Sequence, residues 1–231
     1  MADWTAVQKK KERKLLSDNQ QVRTRVTRKQ IVVAIFLGCG LVIDGCASYQ
    51  YGIVDVRPAD QYPSRIAAKG ISMAVDPYDS KEKSELAFYV DVTSEGFYPV
   101  NLIFKNDTKD RVIVLRDTVE LIDATGNTNR PVRYNVMFSA FEKSKMAYAL
   151  LGFGIFSYMS AEDANRKMET DWRQKELPEQ LIIQAGRRAD AFVYFRLPQG
   201  RTPKGGRLVL EAESLETKEK IPLEILIVSG F

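Results

Sequence analysis

Residues Ile31 to Ile43 carry no charge, and all 13 are apolar except Gly38 and Gly40. At 1.5 Å of rise per residue such a run makes a helix of roughly 20 Å, short of the ~30 Å hydrocarbon core of a bilayer. It has the size of the apolar region of a signal peptide, not of a stable transmembrane helix. Arg23, Arg25, Arg28 and Lys29 stand just before it, as the positive flank of a signal peptide should. The run divides the chain, so the folded body has to be built from residues C-terminal to it.

The charge divides at the same place. Residues 1–45 hold nine Lys+Arg and four Asp+Glu, a net of +5, whereas residues 46–231 hold 25 and 26, a net of −1. The overall balance of +4 therefore belongs to the leader, and the body gives no electrostatic reason to expect nucleic acid. The tracts KKKERK and RTRVTRK are long for a signal-peptide flank and have the composition of a solvated basic segment. They are either a cytoplasmic extension or upstream sequence of a shorter protein that initiates at Val22 or Val26.

The apolar run ends in Ile43-Asp44-Gly45-Cys46, followed by Ala47-Ser48-Tyr49. This resembles the lipobox of bacterial lipoproteins, with Ile43 at the aliphatic position, Gly45 at the small position and Cys46 at the acylated one. Asp44 departs from the small or apolar residue favoured there, and Cys39 is a poorer second candidate behind Phe36. The resemblance implies removal of residues 1–45 and lipid on both the Cys46 thiol and the new amino terminus. Two or more acyl chains are what a stable membrane anchor requires. In Gram-negative members an Asp after the Cys favours retention at the inner membrane. Ala47 stands there instead, which implies an outer-membrane protein facing the periplasm. A short uncut inner-membrane anchor and a buried core helix are the competing readings of the same run.

Residues 46–69 contain Pro58 and Pro63, mixed charge and no period, the composition of a flexible tether. From Gly70 short strands follow one another. Ile71–Val75 is the first, stopped by Asp76-Pro77. Leu86–Val92 is either a strand or a helical turn. In Tyr98–Lys105, Val100, Leu102 and Phe104 face one way and Asn101 and Lys105 the other, the period-2 pattern of a half-buried strand. Val112–Leu115 is the expected return strand after the Asn106-Asp107 turn. Val119–Asp123, a turn at residues 124–127 and the alternating Val132, Tyr134 and Val136 continue the rhythm. Leu181–Gln184 and Ala189–Leu197 come later. Arg207–Ala212 and Ile221–Val228 form a last hairpin, with Pro222 placing its second strand at an edge. The expected fold is mostly β: an immunoglobulin-like antiparallel β-sandwich over residues 70–231 with an α-helical, apolar insertion at about 137–178. The body holds one cysteine, Cys46, so no internal disulfide is available.

The insertion contains Met146–Ala161, 16 residues without charge. Ser160 and Asp163 have capping-box spacing for a helix near Ala161, in which Ala161, Ala164, Met168 and Trp172 share a face and which Leu177-Pro178 ends. Three roles stay open for the apolar run: packing back onto the sandwich, a partner or self-association surface, and a dip into the bilayer. In the last two, Leu150, Leu151, Phe153, Ile155 and Phe156 make the contact.

Histidine is absent, which removes Ser-His-Asp and Cys-His machinery and the commonest metal ligand. No P-loop, dinucleotide or G-x-S-x-G motif occurs, and no cofactor or metal site is expected. DATGNTN at 123–129 lacks the ligand spacing of a calcium loop and has the chemistry of a hairpin turn. Glu162, Asp163 and Glu169 have the pattern of a solvated helix face. The expectation is a lipid-anchored, non-enzymatic envelope protein that binds or scaffolds an envelope partner. The alternatives are an inner-membrane protein with a cytoplasmic basic tail, and an enzyme whose site the sequence does not display.

Overall fold

The computed structural model describes Tyr49, residues 51–143 and residues 158–228. Residues 47–231 form one compact unit. It is mostly β, with antiparallel sheets laid face to face as in a β-sandwich. One sheet contains β1 (Arg65–Ala68), β2 (Ile71–Pro77), β3 (Phe97–Asn106) and β8 (Arg188–Arg196), in the order β1-β2-β3-β8. The other contains β4 (Val112–Leu115), β5 (Glu120–Ile122), β6 (Thr128–Asn129), β7 (Gln180–Ile183), β9 (Arg207–Ser214) and β10 (Lys220–Leu226). β9 organises this second sheet. One of its edges pairs with β10 along the whole strand, and its other edge carries β5 and β4 in tandem, opposite Val209 and Ala212 respectively. β7 and β6 border β4 and β5 in turn.

Alternation supplies the core between the sheets. Val100, Leu102 and Phe104 of β3 join Met73 and Val193 of its neighbours, and meet Val112, Leu210 and Leu223 from the second sheet, all essentially inaccessible to water. Each such side chain contributes roughly 1.5–3 kcal/mol on leaving water.

The opposite face of the first sheet is covered too, and here the structure corrects several expectations. β3 is buried on both faces, so it is not the half-buried strand its polar residues suggested. Phe97, Phe192 and Tyr194 lie under a helical layer, and Ile103 and Ala74 lie under Ala59 and Tyr62. By strand parity Asn101 points to this outer face, where it is wholly buried and its amide has no hydrogen-bond partner. The segment expected to be a free tether is part of this cover. Tyr49 and Tyr62 are 3% and 1% exposed, and the Tyr62 hydroxyl accepts from the Arg57 N–H at 3.0 Å. Pro58 precedes a 3-10 turn, Ala59–Gln61, rather than marking a flexible arm.

Three local assignments change. β2 runs through Asp76-Pro77, with the Asp76 carboxylate held by Lys83. β4 does not return along β3 but crosses to the other sheet. The Asn106 amide donates to the Asp110 and Ile183 carbonyls, which turns the 106–111 link away from its own strand. Tyr134 and Val136 lie in a helix, not a strand, and Val132 makes only an isolated bridge to Tyr194. Met137, Phe138 and Phe141 recur at helical spacing, and their burial outweighs three alternating residues.

The helical layer consists of α1 (Lys81–Phe88), α2 (Tyr134–Lys143) and α3 (Tyr158–Lys175). Ser80 caps α1 by accepting from the Lys83 N–H at 3.2 Å, and Tyr89 ends it in the left-handed region with φ 65°. The span Leu86–Val92 is therefore the end of a helix and its exit turn. In α3, Ala164, Met168 and Trp172 are buried on one face, as their spacing predicted. Ser160 lies inside the helix rather than capping it, and Asp163 pairs with Arg166 and Lys167 instead of a capping partner. Helical structure begins at Tyr134, ahead of the expected insertion boundary at 137.

Candidate functional site

One set of buried, interconnected polar groups joins Tyr49 to the ends of α1 and α3. The last turns of α3 present Asp171 and Lys175 on one face, four residues apart. Asp171 Oδ2 accepts from the Tyr49 hydroxyl at 2.6 Å and from Lys175 Nζ at 2.6 Å. Lys175 Nζ also donates to the carbonyls of Ala87 at 2.6 Å and Gly52 at 3.2 Å, so its three donors are all spent. It lies over the Phe88 ring at 5.5 Å. Burial draws the Lys175 ammonium below its ordinary pKa, and Asp171 offsets part of that. Burial, and then the bond to Asp171, push the Tyr49 phenol far above its ordinary value, so it is a permanent donor. The cluster joins three separate stretches, at Tyr49–Gly52, at the end of α1 and at the end of α3. Its chemistry is that of a clamp.

An aromatic bed lies beneath it. Trp172, fully buried, meets Phe88, Phe138 and Phe141 edge-on at 6.0, 6.2 and 5.7 Å. The Tyr194 hydroxyl donates to the Trp172 carbonyl at 2.7 Å, while the Trp172 indole N–H makes no well-formed hydrogen bond.

A second polar centre fixes the start of α2. Glu176 Oε1 accepts from Arg116 and from the Tyr134 N–H, both at 3.1 Å, and forms an ion pair with Arg133 at 3.2 Å. An acid at a helix N-terminus is favourable there. The adjacent Leu177 N–H donates to the Phe192 carbonyl at 2.7 Å, stitching the end of the helical layer to β8.

The 123–129 loop is a turn. Asp123 Oδ1 accepts from the N–H groups of Thr125 and Asn127, both at 2.9 Å, and Oδ2 accepts from Arg201 at 2.8 Å. The Thr125 hydroxyl first, then the Asn127 N–H and Arg201, hold the Asp123 carboxyl well below its ordinary value of 3.8. A lowered folded pKa means a contribution present above the unfolded value and lost as pH falls through the folded one. Urea unfolding of Asp123→Asn beside the native protein should therefore show a stability gap that is constant from pH 7 to about pH 5 and closes progressively below about pH 4. A gap independent of pH would assign the loss to geometry and not to charge.

Two surface grooves, of about 270 and 370 Å³, carry Asp60 with Arg65 and Glu95 with Arg196 as their charged linings. Among the described residues no group of three or more Cys, Asp or Glu is arranged to hold a metal ion, and no helix is long and apolar enough to cross a membrane. Cys46, Leu150, Leu151, Phe153, Ile155 and Phe156 lie outside the described residues. The clamp has little signature in the sequence. Asp171 and Lys175 stand at i,i+4 spacing, which is visible, but nothing marks Tyr49 as their partner.

No family model matches the chain, and no curated protein matches it. Among solved structures, the crystal structure of the YjhA protein from Bacillus subtilis is similar at 10% identity and a TM-score of 0.36, over 78% of this chain and all of that one.

Proposed function

We propose that the chain is a lipid-anchored protein of the bacterial cell envelope, attached through Cys46, whose immunoglobulin-like sandwich is a non-enzymatic binding or scaffold module. The observation that carries this reading is the leader: a positively flanked apolar run of residues 31–43 closing on Ile43-Asp44-Gly45-Cys46. The position of the body supports it, since Tyr49, three residues past the cysteine to be acylated, is already buried in the fold. So does the use of the buried polar groups, because Asp171, Lys175, Glu176 and Asp123 each hold chain segments together. Ala47 after the cysteine favours the outer membrane, facing the periplasm. The apolar residues Leu150, Leu151, Phe153, Ile155 and Phe156 are the proposed contact with an envelope partner.

The intact mass of the protein extracted from membranes, beside a Cys46→Ser variant, tests the anchor. The expected mass is that of residues 46–231 plus acyl chains, with the acyl increment absent from the variant. A mass that retains residues 1–45 would replace this reading with an inner-membrane protein whose basic tail lies in the cytoplasm. The net charge of +5 on residues 1–45 favours that alternative, through the preference of positive flanks for the cytoplasmic side.

A further inference from the structure

We infer that Tyr51, Ile53, Leu86 and Tyr89 form a bilayer-contact surface that seats the body directly on the membrane to which the chain is anchored. The inference rests on membrane anchoring near Cys46. These four side chains are 57%, 71%, 58% and 39% exposed, which is unusual for large apolar and aromatic groups. They come from two stretches that the structure binds together. The Ile53 N–H donates to the Leu86 carbonyl at 3.1 Å. Gly52 lies so close to α1 that a Cβ on it would fall 1.9 Å from the Ala87 carbonyl oxygen. The rings of Tyr51 and Tyr89 both rest on the buried Tyr49, at 6.3 and 5.5 Å.

The length of chain between this patch and the anchor identifies the occupant. From Cys46 to Tyr49 the chain reaches at most about 11 Å even when fully extended. The clamp on Tyr49 then prevents the following residues from paying out more length. A bilayer holding Cys46 is thus within reach of the patch at all times, and a soluble partner would have to displace it. The composition fits that occupant: tyrosines belong at the headgroup level, with an aliphatic Ile and Leu beside them to enter the acyl boundary.

The test uses the full chain, purified from membranes and reconstituted in vesicles of brominated phosphatidylcholine. One variant carries Tyr89→Trp and a second carries Lys109→Trp, in the exposed turn at the far end of β3. Bromine quenches indoles that reach the acyl chains. The expected result is loss of the added emission in Tyr89→Trp and none in Lys109→Trp, with the native Trp172 as a common background. Protein that floats with the vesicles and carries its anchor by intact mass, yet shows no quenching at position 89, overturns the contact surface while leaving the anchor standing. The patch would then face a protein. Protein that does not float with the vesicles overturns the anchoring reading, and the contact surface with it.

Discussion

Trp172→Ala should cost about 3–5 kcal/mol and loosen the helical layer before the sandwich. Trp172 is fully buried and is the ring on which α1, α2 and α3 converge, through Phe88, Phe138 and Phe141. The inter-sheet core is a separate cluster that does not include it. Urea unfolding followed by far-UV circular dichroism should show helical signal melting at lower denaturant than the strand signal in this variant. Trp172→Phe separates the ring from its N–H. It keeps an aromatic edge against the three phenyl rings and deletes a buried donor that makes no well-formed hydrogen bond, the Tyr49 hydroxyl being the acceptor nearby, and an unsatisfied buried donor costs about 1–3 kcal/mol. Its expected loss is about 1 kcal/mol or less, because the relieved donor offsets the smaller ring. Equal losses for Ala and Phe would mean that packing at Trp172 does not hold the layer together.

Asp171→Ala should cost about 3 kcal/mol, and Lys175→Met in the same chain should recover most of it. Removing Asp171 strands a largely buried ammonium and the Tyr49 hydroxyl together. Breaking a buried pair by deleting one partner costs about 3–5 kcal/mol, whereas replacing both by apolar groups is often neutral. The lower end applies because Lys175 keeps two carbonyl acceptors, at Ala87 and Gly52. Denaturant midpoints of the single and double variants measure the coupling. Limited proteolysis gives a second readout, since release of Tyr49 should open residues 51–57 to cleavage before the rest of the body. A double variant no better than Asp171→Ala would show that the loss comes from Tyr49 and not from the stranded lysine.

The parts of the fold legible in the sequence were those whose pattern is local. The alternation of Val100, Leu102 and Phe104 specifies one face of β3 whatever lies on the other. The β9–β10 hairpin was readable from Ile221, Leu223 and Ile225, and Pro222 sits on an edge strand as its missing N–H demands. What covers the outer face was not readable, because Asn101 has the look of a solvent-facing residue until segments from elsewhere in the chain close over it, while Lys105 does stay partly exposed. The 132–136 stretch offered three alternating residues against a helical period that becomes visible only through Phe141. Tyr49 was the hardest. Its burial depends on Asp171, and a hydrogen bond between residues 122 positions apart leaves no mark in either neighbourhood.

The placement of β9 also sets when this protein can fold. β4 can pair with β7 and β5 with β6, but these two pairs become one sheet only through residues 207–214. The pairing of Val112 with Ser214 closes a loop of about a hundred residues, whose entropy is spent before any contact repays it. The pairings close in sequence, β1–β2–β3, β5–β6 and β9–β10, need no such loop closure. Until β9 pairs, Val112, Val114 and Leu121 lack part of their cover, and transiently exposed apolar surface of this kind is prone to aggregate. Completion of the second sheet therefore depends on its central strand, the one element that all the other pairings of that sheet share or adjoin.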